Sequence, residues 1–96
     1  MARFDVYHCP GVYLLDCQAN VLDFLATRFV VPLIPADQTP CAARLNPVFS
    51  VQGESVVMAT QLASAVPVRE LGPWVASLAD EHDRIMNALD MLMTGY

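Results

Sequence analysis

The sequence contains no lysine, and its five basic residues are all arginines that stand far apart. Ten acidic residues leave a formal net charge of −5. A protein that binds DNA or RNA directly needs a cluster of cations to neutralise phosphates and release counterions. We therefore expect no direct nucleic-acid binding. The acidic balance instead suits a partner protein with exposed arginines.

The residues that usually carry chemistry are few and isolated. The four glycines stand apart, so no Gly-rich phosphate loop is present. Neither His8 nor His82 has a sequence neighbour that spacing would place beside it as a catalytic partner. Cys9, Cys17 and Cys41 contain no CxxC motif and cannot all pair, so we expect small buried thiols. The sequence predicts no catalytic, cofactor or metal site, and a protein that is not an enzyme.

Long apolar runs are also missing. The longest, residues 29–36, contains two prolines and is far shorter than the roughly 20 residues of a membrane-spanning helix. The first eight residues contain no apolar signal core. We therefore expect no membrane association and a cytoplasmic location.

Apolar residues are nevertheless abundant, at 55% of the 96 residues. The usual share in soluble domains is about 45–50%. A chain of this length forms one small domain, residues 1–96, whose core cannot hide that much apolar surface. The surplus predicts a self-complementary homodimer interface.

Hydrophobic alternation predicts a mainly β chain of about five antiparallel strands. The predicted strands are residues 3–9, 12–18, 27–34, 45–51 and 54–60, followed by an extended segment at 61–68. Turns are expected at Pro10-Gly11 and Gln52-Gly53. Residues 19–26 are predicted to be a connecting loop folded over the sheet edge, and residues 35–44 a loop. Pro32 has no N–H to donate to a neighbouring strand, so it predicts an edge strand or a bulge. Gly72-Pro73 predicts the end of the strand region.

The last quarter of the chain has a helical period. Leu78, Ile85, Leu89, Leu92 and Tyr96 fall on one stripe. Ser77 and Asp80 match a capping box at the helix start, and Gly95 is a stop signal. Trp74 is expected to be a core anchor. Met86, Met91 and Met93 favour a second apolar face suited to a partner.

Several local strings resemble the CcdB family of toxins from bacterial toxin–antitoxin pairs. They are Arg-Phe-Asp-Val-Tyr at residues 3–7, Thr-Arg-Phe-Val-Val-Pro-Leu at 27–33, Leu-Asn-Pro-Val-Phe at 45–49, Gly-Glu-Ser at 53–55, Met-Ala-Thr at 58–60 with Ala-Ser at 63–64, and Val-Pro-Val at 66–68. The resemblance continues through residues 71–72, 85 and 87–88, and so runs nearly end to end.

The resemblance implies a fold, a target and a set of contacting residues. The fold is an SH3-like antiparallel β-barrel with a C-terminal helix, dimerised so that the helix ends lie side by side. The paired ends poison DNA gyrase by binding its A subunit, and a cognate CcdA-like antitoxin reverses this. The target-binding residues carried over from the family are Val21, Leu22, Asp90, Met93, Thr94, Gly95 and Tyr96.

The chain departs from the family at its C-terminus. The family ends in Trp-Gly-Ile, and its Trp stacks on a gyrase arginine, whereas this chain ends in Thr94-Gly95-Tyr96. Two alternatives therefore stay open. One is a family member with altered or lost gyrase activity that mainly binds antitoxin. The other is an mRNA endoribonuclease like the related MazF toxins, with Thr27, Arg28 and His8 as its residues.

Overall fold

Seven β-strands and one α-helix make up the part of the chain that the computed structural model describes, residues 2–38 and 44–95. The strands are β1 (Asp5–Cys9), β2 (Val12–Asp16), β3 (Thr27–Pro35), β4 (Val48–Val51), β5 (Glu54–Met58), β6 (Ser64–Pro67) and β7 (Trp74–Ser77). The helix α1 spans His82–Thr94. One-turn 3-10 helices lie at Asn20–Leu22, Ala36–Gln38, Thr60–Leu62, Val68–Glu70 and Ala79–Glu81.

All seven strands belong to one antiparallel sheet that curls around β3. The order is β4-β5-β3-β2-β1-β7, and β6 also pairs with β3. One edge of β3 pairs with β2, while its other edge pairs first with β6 and then with β5. A strand shared in this way bends the sheet into a half-barrel. The predicted class, a mainly β SH3-like barrel with one C-terminal helix, is confirmed; the homodimer remains a prediction.

Pro32 was predicted to mark an edge strand or a bulge; it lies in this central strand, so the first of these alternatives was wrong. It pairs with Leu14 of β2 and has no N–H to donate. On the opposite edge, β6 pairs as far as Val30 and β5 pairs only from Leu33. Pro32 therefore occupies the gap where β3 changes partner, and its carbonyl accepts a hydrogen bond from Ala59 N–H at 2.9 Å.

The two predicted hairpins are confirmed. β1 and β2 pair from Cys9↔Val12 onward across the Pro10-Gly11 turn. In the second hairpin, Gln52 and Gly53 have φ angles of 51° and 80°. Two successive left-handed residues form the primed turn whose twist matches that of the flanking strands.

The prediction that strands end at Gly72-Pro73 was wrong, because β7 follows directly. A Cβ on Gly72 would lie 1.8 Å from the carbonyl oxygen of His8, so only glycine lets the two segments approach. His8 N–H then donates to the Pro73 carbonyl at 2.9 Å. Trp74, at the start of this edge strand, is 59% exposed. It is therefore not the core anchor that the sequence predicted.

The helix begins later than the capping-box pattern predicted. Leu78 N–H donates to the Phe4 carbonyl at 2.8 Å, which keeps the chain on the sheet after Ser77. The Ser77 hydroxyl instead accepts from Ala79 N–H at 3.2 Å, in the turn before α1. The predicted stop is confirmed, since Gly95 closes the helix in the left-handed conformation with φ 81°.

The core lies between the concave face of the sheet and α1. Ile85, Ala88 and Leu89 are buried at the helical spacing of three and four residues. They pack in one cluster with strand residues such as Val6 and Leu33. Burying a large aliphatic side chain stabilises the fold by roughly 1.5–3 kcal/mol. This buried face of α1 is therefore the main attachment of the helix to the sheet.

Candidate partner-binding surface

The connection between β2 and β3, residues 19–26, forms a loop with an apolar surface, here called the tip loop. Val21 is 79% exposed and Phe24 76%, and Leu22 and Leu25 are also exposed. The prediction that these residues fold over the sheet edge was therefore wrong. Neighbouring exposed apolar side chains of this kind mark interaction sites more often than isolated ones do.

The tip loop is held in place by a buried polar network at its base. Arg28 Nε donates to Asp16 Oδ2 at 2.9 Å, and both side chains are fully buried. Arg28 Nη2 lies 2.7 Å from the same oxygen, close enough for an ion pair though not aligned as a hydrogen bond. The other carboxylate oxygen of Asp16 accepts from Gln18 N–H at 3.0 Å. The ion pair therefore fixes the residue at which the chain leaves β2.

Gln18 extends this network into the tip loop. Its amide nitrogen donates to the Leu22 carbonyl at 2.8 Å, and its amide oxygen accepts from Phe29 N–H at 2.9 Å. One side chain thus ties the turn that bears Val21 to the start of β3. Because a buried amide satisfied at both ends has one preferred position, the loop is presented as a fixed surface.

The end of α1, residues 90–95, presents a second exposed apolar surface, here called the helix end. Met93 is 77% exposed and Leu92 44%. Asp90 is exposed, and its carbonyl accepts from the Thr94 hydroxyl at 2.7 Å. Gly95 caps the helix. Tyr96, the remaining target-binding residue carried over from the family, lies outside the described residues.

Arg3 contacts both the tip loop and the helix. Its backbone N–H donates to the Asn20 side chain at 2.8 Å, and its Nη2 lies 3.2 Å from the sulfur of Met86. Met93 lies two turns, roughly 10 Å, further along α1. The resemblance to the family named Val21, Leu22 and the helix-end residues, and their target-binding role stays a prediction. It did not name Phe24 and Leu25, which are exposed on the same loop, although a run of apolar residues without strand alternation was the available signal.

The thiol of Cys17 and the phenol of Tyr7, both near the network, have raised pKa values. Burial, reinforced by the nearby Asp16 carboxylate, raises the pKa of the Cys17 thiol to about 12. Burial and the carboxylates of Asp5 and Asp16 raise the pKa of Tyr7. Cys9 and Cys17 are buried free thiols, as the sequence predicted, and Cys41 lies outside the described residues. A protonated, buried thiol is unreactive.

Across residues 2–38 and 44–95, no three His, Cys, Asp or Glu side chains come together in a group that could hold a metal ion. In those ranges no helix has both the length and the apolar character needed to cross a membrane.

The protein is a half-barrel with a C-terminal helix, and both its tip loop and its helix end expose apolar side chains. The family model described as CcdB protein matches residues 3–95, nearly the whole chain. The chain therefore belongs to the CcdB family, whose members are toxins of toxin–antitoxin pairs.

Among solved structures, the chain is similar to a protein named "Endoribonuclease from Mycobacterial species". The TM-score is 0.80 at 17% sequence identity, over 97% of this chain and 90% of that one. At this identity the likeness shows a shared fold. It also corrects the prediction that the chain is not an enzyme, because a protein with this fold is named as one.

Proposed function

We propose that this toxin binds the A subunit of DNA gyrase through its tip loop and helix end. The observation that carries the proposal is the presentation of Val21 and Leu22, exposed and apolar, on a loop that a buried ion pair holds in place. A rigid apolar surface loses little conformational entropy on binding. Membership of the CcdB family supports the choice of gyrase.

The proposed active form is a homodimer in the cytoplasm. Two copies place two helix ends, each with Met93 and Gly95, beside each other in one composite surface. Sedimentation of the full chain at micromolar concentration should give twice the monomer mass of 10.5 kDa. A stable monomer at working concentrations would remove the composite surface and this part of the proposal.

A gyrase assay tests the proposed target. Purified protein is added to gyrase, plasmid and ATP, and trapped cleavage complexes are counted as linear DNA. We expect Val21→Asp and Met93→Asp to lower trapping at least tenfold, because each places a charge in an apolar contact. The matched control is Trp74→Ser, which removes an exposed apolar side chain of β7 outside the surface. Equal trapping by the parent chain and its three variants would disprove the proposal that the tip loop and the helix end bind gyrase.

A cognate CcdA-like antitoxin is the second proposed partner. Co-expression should abolish toxicity, and titration of the antitoxin should release trapped gyrase. This chain has Thr94 where the family has the Trp that stacks on gyrase, so the same experiments also test whether gyrase activity has been lost. If the protein binds antitoxin tightly but overexpression is harmless and no cleavage complex forms, the chain is the antitoxin-binding family member with lost gyrase activity.

Endoribonuclease activity is the second candidate function, and the structural likeness to a protein named an endoribonuclease favours it. The burial of the side chains reduces the set of residues that could act in RNA cleavage. Arg28 is fully buried against Asp16 and is out of reach of RNA, whereas His8 is exposed on β1. Cleavage of single-stranded RNA that is lost in His8→Ala, with folding retained, would establish this function in place of gyrase poisoning.

A further inference from the structure

A small cleft opens beside the β1–β2 turn, on a part of the fold that the proposed gyrase surface does not use. Its walls come from the end of β1, the start of β2, the end of β3 and the start of β5, with a volume of about 150 Å³. Sites for drug-sized ligands and cofactors usually measure about 300–1,000 Å³. The cleft therefore has the size for a single side chain of a partner.

Two aromatic rings form one wall. His8 and Tyr13 are a cross-strand pair whose ring centroids lie 5.6 Å apart at an interplanar angle of 71°. Tyr13 pairs on its other side with Leu33, which lines the cleft together with Pro35. The two rings and the partly exposed Pro35 offer a surface that accepts an aliphatic stem or a flat, weakly hydrated group, while Leu33 beneath them is fully buried.

Glu54 supplies the charge of the cleft. It follows the left-handed Gln52-Gly53 turn, which starts β5 at this position. None of the five arginines is among the described residues that line the cleft. A phosphate or an RNA backbone would meet a carboxylate here without a compensating cation, which disfavours anionic ligands. A cation is the complementary ligand, in keeping with the net charge of −5.

We propose that this cleft binds the side chain of an arginine from a partner protein. The guanidinium pairs with the Glu54 carboxylate and packs against the Tyr13 and His8 rings, while its methylene stem contacts Pro35. Arginine fits better than lysine because its planar group combines stacking with two parallel hydrogen bonds to one carboxylate. Nothing in the assignment depends on gyrase being the target.

The test is an NMR titration of the full chain with N-acetyl-arginine amide and, as the neutral isostere, N-acetyl-citrulline amide. A single side chain in an open cleft should bind with a Kd in the millimolar range. We expect the arginine compound to shift the amide signals of Gly11, Tyr13 and Glu54, and the citrulline compound to bind at least tenfold more weakly.

Variants separate the charge from the aromatic wall. Glu54→Gln should weaken arginine binding at least tenfold, whereas Asp80→Asn, which removes an exposed carboxylate elsewhere, should leave it unchanged. Tyr13→Phe should retain binding, and Tyr13→Leu should lose it. The Glu54 and Asp80 variants change exposed residues, so their folding is secure.

Three outcomes would overturn the proposal. The first is equal binding of the citrulline and arginine compounds. The second is a set of shifts that does not involve the cleft or that persists in Glu54→Gln. The third is tighter binding of guanosine or uridine monophosphate at the same residues, which would make the cleft a nucleotide site.

Discussion

Asp16 and Arg28 form an ion pair, 2.7 Å between Oδ2 and Nη2, in which neither side chain is exposed to solvent. The two residues stand at opposite ends of the tip loop, at the last position of β2 and the second position of β3. A charge pair taken out of water is costly to assemble and adds little net stability. The effect of this ion pair is to fix the position at which the loop with Val21 and Leu22 leaves the sheet.

Breaking this pair from one side should be severely destabilising. Arg28→Met leaves the Asp16 carboxylate buried without its cation, and we expect a loss of about 3–5 kcal/mol in the free energy of unfolding. Urea unfolding followed by circular dichroism measures it. The double variant Asp16→Asn, Arg28→Met removes both charges but keeps an oxygen for Gln18 N–H, so it should be more stable than the single variant.

The exposed pair of Arg84 and Glu81, at 3.3 Å, provides the control. Glu81→Gln should change the free energy of unfolding by less than about 1 kcal/mol, because water screens this pair. If Arg28→Met proved as mild as Glu81→Gln, the Asp16–Arg28 pair would not hold the loop as described.

The pair also illustrates what the sequence does not reveal. Asp16 and Arg28 are separated by eleven residues, and only the register of β2 with β3 brings them together. The endoribonuclease alternative names Thr27, Arg28 and His8. Nothing in the residue order shows that Arg28 is buried, since arginine is mostly exposed and its burial requires the partner that folding supplies.

Local signals were more reliable where a single interaction decides the structure. The hairpin turn at Gln52-Gly53 and the helix stop at Gly95 were predicted because each needs a left-handed residue, and glycine provides it. β7 was missed for the opposite reason. Gly72 suggested the end of the strand region. Its role is instead to let the carbonyl of His8 lie close to the backbone of residue 72, a long-range contact that no local pattern encodes.

Gln18 should control the order of the tip loop. Gln18→Glu keeps the oxygen that accepts from Phe29 N–H but removes the donor to the Leu22 carbonyl. We expect amide hydrogen exchange in residues 20–26 to accelerate at least tenfold, with smaller changes in the core strands. If gyrase is the target, trapping should fall in parallel. Unchanged exchange in the loop would show that Gln18 does not restrain it.

The second hairpin offers a stabilising substitution. Gln52 has a φ of 51°, a conformation that asparagine tolerates better than glutamine, and Asn-Gly is the preferred pair for this turn. Gln52→Asn should raise the free energy of unfolding by about 0.5–1 kcal/mol. Gly53→Ala, at φ 80°, is the matched opposite change and should lower it by about 1 kcal/mol. Thermal melts of the three proteins measure both, and a destabilised Gln52→Asn would contradict the turn geometry.

The buried thiol of Cys17 predicts a loss of stability in alkali. Its pKa rises from an ordinary 9.0 to about 12 because burial and Asp16 disfavour the thiolate. Below pH 9 the thiol is protonated in both the folded and unfolded chain, so it contributes no pH dependence. Between pH 9 and 12 the unfolded chain releases this proton and the folded chain retains it, so the free energy of unfolding must fall as pH rises.

Cys17→Ala tests this assignment, because alanine fills most of the same space and does not titrate. We expect the decline in melting temperature between pH 9 and 11 to be shallower in Cys17→Ala than in the parent chain. The remaining decline above pH 10 belongs partly to Tyr7, whose pKa is raised in the same direction. Identical pH profiles for the two proteins, or rapid alkylation of native Cys17 by iodoacetamide at pH 8, would show that this thiol is not held protonated by the fold.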